Sequence, residues 1–187
     1  MKRSIFRWCT ALTTLLLAAC AGNGPLVPSA PSSFELGGRI AARYQERAFT
    51  SALRWKQDAG GDEIWLTAPL GQTIAYLQAD RDGATLTAAD QKQYRANSIE
   101  SLTRSALGWR FPVAGMRYWV QGQSAPGMTL TSIERDSSNR ITRFHQDNFQ
   151  VTFAYTDAEA ARPLRLEIVG GDAEIRLVID SLIIRQP

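Results

Sequence analysis

Phe34-Glu35-Leu36-Gly37-Gly38-Arg39-Ile40-Ala41-Ala42-Arg43-Tyr44, followed by Phe49-Thr50-Ser51-Ala52-Leu53-Arg54-Trp55-Lys56, alternates with a period of two. Phe34, Leu36, Ile40, Ala42 and Tyr44 fall on one side, with Glu35, Arg39 and Arg43 on the other. Likewise Phe49, Ser51, Leu53 and Trp55 oppose Thr50, Arg54 and Lys56. A helix would need apolar residues three or four apart, whereas successive side chains of a strand point to opposite faces. Both segments read as strands with one buried face.

Downstream the same rhythm continues. The turn Asp58-Ala59-Gly60-Gly61-Asp62 leads into a strand at Glu63–Thr67, and Ala68-Pro69-Leu70-Gly71 forms a loop before Thr73–Ala79. Asp82-Gly83 marks a hairpin ahead of short strands at Ala84–Thr87 and Lys92–Arg95. Then the period changes. Asn97 with Glu100 three residues later predicts a capping box, Ile99, Leu102, Ala106 and Leu107 share a helical face, and Gly108 ends it. Pro112 suits a first helical position, with Val113, Met116 and Val120 on one stripe and Gly122 as the stop. Five further strands follow, at Met128–Arg135, Ile141–Gln146, Phe149–Thr156, Leu164–Val169 and Ala173–Ile184, separated by Asp136-Ser137-Ser138-Asn139, Asp147-Asn148 and Gly170-Gly171-Asp172. About eleven strands and two central helices, without an internal repeat, predict a mostly β (α+β) domain. Its sheet is antiparallel and strongly curved, with the helices against its concave side.

Upstream the chain has another character. Lys2, Arg3 and Arg7 precede a short apolar stretch, Ala11–Ala19, which has the form of a secretory signal peptide and is too short to span a bilayer. Leu17-Ala18-Ala19-Cys20 resembles a bacterial lipobox, in which the Cys thiol receives diacylglycerol and small residues before it fit the processing peptidase. By that resemblance Cys20 becomes the first mature residue, carrying S-diacylglycerol and an N-acyl chain, and Ala21 favours export to the outer membrane. Stable attachment needs more than one acyl chain, and three suffice. Ala21–Ser33 holds three prolines, two glycines and three serines in thirteen residues, the composition of a tether. It reaches roughly 40 Å at about 3.1 Å per residue. The expected organisation is a removed signal at 1–19, a lipidated Cys and tether at 20–33, and one folded domain at 34–187.

Composition and charge exclude several functions. The 187 residues are 44% hydrophobic and 21% charged, which excludes wholesale disorder. The formal charge of +3 comes from Lys2, Arg3 and Arg7: removing these three from 21 basic residues leaves 18 against 18 acidic ones. The mature chain is near neutral, so the pI near 9.1 carries no nucleic-acid signal. Catalytic patterns are missing. His145, the one histidine, lies on a strand where Ile141 and Arg143 share its face, as a surface or rim residue would. One His and no free Cys cannot make a zinc site. Gly122-Gln123-Ser124-Ala125-Pro126 lacks the final Gly of a nucleophile elbow, and no Walker-type loop is present. The expectation is a non-enzyme.

What remains is apolar surface. Trp55, Trp65, Trp109, Trp119, Phe111, Phe144, Phe149, Phe153 and Tyr155 supply many large side chains for one small domain, mostly as core. Leu70, between Pro69 and Gly71, sits where turn geometry exposes it, and on a membrane-held protein an apolar tip can touch lipid.

These residues reach a family. Gly38-Arg39-Ile40, Trp55, Ala68-Pro69-Leu70-Gly71-Gln72, Leu107-Gly108, Phe111-Pro112-Val113, Tyr118-Trp119-Val120-Gln121-Gly122 and Gln146 before Phe149-Gln150-Val151 resemble the outer-membrane lipoprotein receptor family (LolB), in order, from about Phe34 to Ile184. The resemblance implies an unclosed β-barrel of about eleven strands with helices at its mouth. It implies a non-enzymatic role, in which the protein accepts triacylated lipoproteins from a soluble periplasmic carrier and inserts them into the inner leaflet of the outer membrane, without nucleotide hydrolysis. The implied partners are that carrier, the acyl chains of client lipoproteins and the leaflet, with no nucleic acid; the protein is a monomer without cofactors beyond the acyl groups on Cys20.

By the same resemblance Pro69, Leu70 and Gly71 form the membrane-contacting transfer loop. Trp55 and Trp119 belong to an apolar ligand cavity, to which Leu66, Leu102, Phe111, Met116, Phe149 and Val151 are assigned with them. Two departures stand out. Ser32-Ser33 runs directly into Phe34 where the family often has a helix, and Phe149 and Ser181 stand where it often has Trp. The competing readings are a lipid-anchored structural or assembly protein binding a peptide, and a carrier of another apolar lipid.

Overall fold

The computed structural model describes residues 33–171 and 173–185. The expected signal peptide, Cys20 and all of the tether before Ser33 lie outside these residues, as does Asp172 of the turn expected at 170–172.

The alternation at the start of the domain gives β1 (Ser33–Tyr44) and β2 (Arg47–Asp58), an antiparallel pair in register from Phe34↔Gln57 to Tyr44↔Arg47. From β2 the chain meanders outward through β3 (Gly61–Thr67), β4 (Thr73–Ala79), β5 (Ala84–Ala88) and β6 (Gln93–Ala96) to one edge of the sheet. It then crosses to the opposite edge through α1 (Ile99–Leu107) and α2 (Val113–Trp119). A second meander returns through β7 (Leu130–Arg135), β8 (Ile141–Gln146), β9 (Phe149–Ala154) and β10 (Arg165–Gly170) to β11 (Ala173–Arg185), which pairs with β1. The eleven strands form one sheet in the order β6-β5-β4-β3-β2-β1-β11-β10-β9-β8-β7, with β6 and β7 at its two edges. The barrel is unclosed, as expected.

At the centre of the sheet the β1–β11 register slips between Gly37 and Gly38, leaving Asp180 without an opposing residue. Such a bulge bends its strand. It requires glycine, because a Cβ on Gly38 would lie 2.2 Å from the Val178 carbonyl oxygen. Asp180 instead bonds Arg39 on the outer face, at 2.9 Å.

The two ends of the sheet differ. The β1–β2 turn, the β3–β4 loop and the β5–β6 turn lie at one end, the mouth; Ser33 and the β2–β3 and β4–β5 turns lie at the other. Helix α1 runs toward the mouth, where Gly108 nears the Tyr44 ring, and α2 returns toward Asp62 at the far end.

Three local expectations are corrected. The α1 cap is Ser98, whose side chain accepts from the Ser101 N–H, and Asn97 lies outside the helix. Glu100 does not close a capping box; it accepts from the Ala114 N–H and so ties α1 to the start of α2. Pro112 is the N-cap of α2 and not its first helical residue, and the helix ends at Trp119, before Gly122. Ile141 does not share the face of Arg143 and His145: it is buried while they are exposed. The β7–β8 register shifts between Glu134 and Arg135, pairing these with Arg143 and Ile141, and the irregularity breaks the period of two.

Candidate functional site

The concave side has two halves. Between β8–β11 and α2 it is solid. Trp119 is fully buried, 6.0 Å from Phe144 and 5.6 Å from Phe149 between ring centroids, and Phe144 is 5.4 Å from Phe153. Its indole N–H donates to Gln146 Oε1 at 2.9 Å, and Gln146 also accepts from the Ala125 N–H and donates to the Ala125 carbonyl. A buried indole satisfied in this way belongs to the core. Gly115 makes room for it, since a Cβ there would lie 2.4 Å from the Trp119 ring.

Helix α2 is fastened to the opposite half as well. The Asp62 carboxylate, fully buried, accepts from the Trp55 indole at 2.9 Å and forms an ion pair with the Arg117 guanidinium of α2. Phe34 meets Trp55 edge-on at 5.0 Å.

Under α1 the sheet is not filled. Leu53, Ile64, Leu66, Leu77 and Leu86 point inward from four adjacent strands, and Leu102, Ala106 and Leu107 of α1 face them. Trp109 and Phe111 close one side, leaving a cavity of about 260 Å³. Leu53 pairs with Leu66, and Ile64 with Leu77 and Leu86 in turn, so the wall is built from apolar cross-strand rungs. Thr103 is the one polar side chain on the wall. Its hydroxyl donates to the Glu100 carbonyl at 3.3 Å and accepts from the Phe111 N–H at 3.0 Å, so it is engaged by the backbone and not offered to the cavity. Ile74 and Leu107, on the wall yet partly exposed, mark where the cavity meets solvent.

The cavity residues assigned by resemblance divide accordingly. Leu66, Leu102 and Phe111 are on the wall. Trp55, Met116, Trp119 and Val151 are not: all four are fully buried, their surfaces taken up by neighbouring side chains. Phe149 is off this wall too; it borders a separate, more polar depression beside Pro112 and Gly170. Phe49, Leu53, Ile64, Leu77, Leu86 and Trp109, unassigned from sequence, are wall residues. Their signal was parity: on β2 the wall residues share the alternation of Trp55. Ser181 is exposed on β11, opposite Gly37 and outside the cavity.

The β3–β4 loop is a tight turn. Gly71 N–H donates to the Ala68 carbonyl and Ala68 N–H to the Gln72 carbonyl, both at 2.8 Å, and Gly71 takes φ +85°. Pro69 fixes its own φ. Leu70 is thereby held at the tip, 90% exposed. On the outer face behind the loop, the Trp65 and Tyr76 rings stack at 5.0 Å and the Tyr76 hydroxyl donates to Glu63 at 2.9 Å. Burial, then the bond to Glu63 and its charge, push the Tyr76 hydroxyl up to about 12.

His145 is exposed, its Nδ1 3.0 Å from the Ser132 hydroxyl. Among the described residues no group of three or more His, Cys, Asp or Glu is placed to hold a metal, and no helix is long and apolar enough to cross a membrane.

Comparison with known proteins places the chain. A family model described as outer membrane lipoprotein LolB matches residues 32–181. The outer-membrane lipoprotein LolB of Nitrosomonas europaea is 36% identical over 152 residues, covering 79% of this chain and 71% of that protein. The protein of the same description from Thiobacillus denitrificans is 34% identical over 170 residues, covering 88% and 90%.

Proposed function

The chain belongs to the outer-membrane lipoprotein LolB family, and on that premise we propose that it receives the acyl chains of lipoproteins in the α1 cavity and releases them into the outer membrane. The observation that carries this reading is the pairing of an apolar cavity, whose Thr103 hydroxyl is engaged by the backbone, with a fixed and fully presented Leu70. A site for a polar ligand would present hydrogen-bonding groups to orient it. This one offers carbon.

The direction of transfer follows from solvation. Each methylene exposed to water costs about 0.8 kcal/mol, so an acyl chain passes between sites that both shield it. A soluble periplasmic carrier hands the chain to the cavity, and the bilayer, which shields it most fully, receives it. No nucleotide and no bond-breaking chemistry enters. Ordinary small-molecule sites hold about 300–1,000 Å³, so a cavity of about 260 Å³ must widen to admit an acyl chain. Helix α1 is the wall that yields: it rests on β5 and β6, at one edge of the sheet. Helix α2, locked by Asp62 and packed around Trp119, stays in place.

Cys20 carries the acyl groups that hold the protein in the outer membrane, and residues 21–33 link it to the domain. The test is transfer of a purified triacylated lipoprotein from carrier to liposomes, with and without this protein. Acceleration is expected, together with saturable displacement of a fluorescent fatty acid from the cavity. Unchanged transfer refutes the reading, and a scaffold that binds only peptides shows no saturable apolar site.

A further inference from the structure

The outer face of the sheet behind the Leu70 loop carries a second boundary. Arg54, Trp65, Tyr76 and Thr87 are successive partners across β2–β5 and form one outward rung. The Trp65 and Tyr76 rings stack within 25° of parallel, and the Arg54 guanidinium carbon lies 5.1 Å from the Trp65 centroid. Toward the loop, the outward residues of β2–β4 are Thr50, Ala52, Thr67 and Thr73, none of them charged. Away from the loop the next rung is Lys56, Glu63 and Gln78, and there Lys56 pairs with Asp58 at 2.9 Å. On β2–β4 charge therefore begins at the aromatic rung and continues behind it, while on the neighbouring β1 Arg39, level with Ala52, is neutralised by Asp180.

We propose that this rung is a depth stop: Arg54, Trp65 and Tyr76 seat among phospholipid headgroups while Leu70 enters the acyl region beyond them. The proposal rests on the delivery role of the loop and specifies how it meets the membrane. Trp and Tyr favour the membrane–water interface because an apolar ring and a polar tip can both be accommodated there. Arg54 adds a cation facing anionic headgroups. The dimensions agree. Leu70 is five residues from Trp65, at most about 17 Å at strand spacing. A headgroup layer is about 5–8 Å thick, so a rung at its aqueous side places Leu70 several ångströms into hydrocarbon. The Asp90–Lys92 pair, 2.7 Å apart in the neighbouring β5–β6 turn at the mouth, resists deeper entry.

The core composition makes this measurable. Trp55, Trp109 and Trp119 are buried, so Trp65 is the accessible tryptophan among the described residues. The mature, acylated protein is reconstituted in phosphatidylethanolamine–phosphatidylglycerol vesicles bearing a nitroxide either at the headgroup or at the acyl chain end. The headgroup label is expected to quench tryptophan emission about twofold more than the chain-end label, and W65F to lose that excess. R54E should lower headgroup quenching on these vesicles and leave it unchanged on phosphatidylcholine vesicles. Circular dichroism and melting identify any misfolded variant.

Quenching equal in wild type and W65F overturns the proposal, as does stronger quenching by the chain-end label. So does shielding of Trp65 from iodide by the carrier protein without vesicles, which makes this face a protein interface. Transfer measured on the same preparations separates the two readings. Transfer with Trp65 unquenched removes the depth stop alone; Trp65 quenched without transfer removes the delivery role.

Discussion

The indole N–H of Trp55 reaches the Asp62 carboxylate at 2.9 Å inside the sheet, and the same carboxylate receives Arg117 from α2. One buried acid thus fixes a core tryptophan and fastens a helix. Removing one partner of a buried ion pair typically costs 3–5 kcal/mol. Arg117 is partly exposed and regains some hydration. D62A also leaves the buried Trp55 indole N–H without its acceptor, so a loss of about 3–5 kcal/mol is expected, read as a shifted urea midpoint.

Leu70 has no such duty. At 90% exposure it contributes little to folding, and surface substitutions usually stay within about 0.5 kcal/mol. L70E should unfold with the wild type and bind fluorescent fatty acid with unchanged affinity, yet slow release into liposomes about tenfold or more, because a Leu gains about 2 kcal/mol from apolar surroundings and Glu does not. Normal release by L70E would remove the loop from the mechanism.

Ala75 is a small residue on the cavity wall. A75W projects an indole into the space an acyl chain would occupy. Displacing two methylenes forfeits about 1.6 kcal/mol, so fatty-acid affinity should fall about tenfold or more in a displacement titration. Unaltered affinity would place the binding site elsewhere.

Tyr76 introduces an alkaline sensitivity. Burial and Glu63 raise its hydroxyl from 10.0 to about 12, so the folded protein keeps a proton that the unfolded chain has lost. The associated stability is complete below pH 10 and disappears as pH rises from 10 to about 12. In urea melts across that window, wild type should lose stability more steeply than Y76F.

Much of this was legible in the residues. A period of two identified the strands, because burying one face leaves no other register for Phe34, Leu36, Ile40 and Ala42. Pro112 and Gly108 bounded the helices through backbone chemistry that needs no partner. What failed had tertiary causes. Parity puts Trp55 and Leu53 on the same inner face, but whether a side chain there meets another ring or a void depends on what crosses above it. Trp55 meets Phe34 and Asp62; Leu53 meets the gap under α1. Glu100 looked like half of a capping box because its alternative acceptor role, toward the Ala114 N–H fourteen residues on, exists only once the two helices are docked. Ile141 left the face of His145 because a register shift between neighbouring strands leaves no mark in composition.

The first described residue, Ser33, lies at the end of the sheet remote from Leu70. Six residues separate Ser33 from Arg39, which is level with Thr67 through Ala52, and Leu70 is three further on. At about 3.3 Å per residue the two ends are offset by about 30 Å. If Cys20 and Leu70 serve the same leaflet, thirteen residues, 21–33, have that offset to cover, and a chain of that length spans at most about 45 Å. That leaves about 15 Å to spare. Deleting six of them should strand a correctly folded, correctly anchored domain facing away from its own bilayer, able to take up a client yet unable to set it down. On that arrangement the length of the leash, and not only its anchor, would set which way the molecule faces.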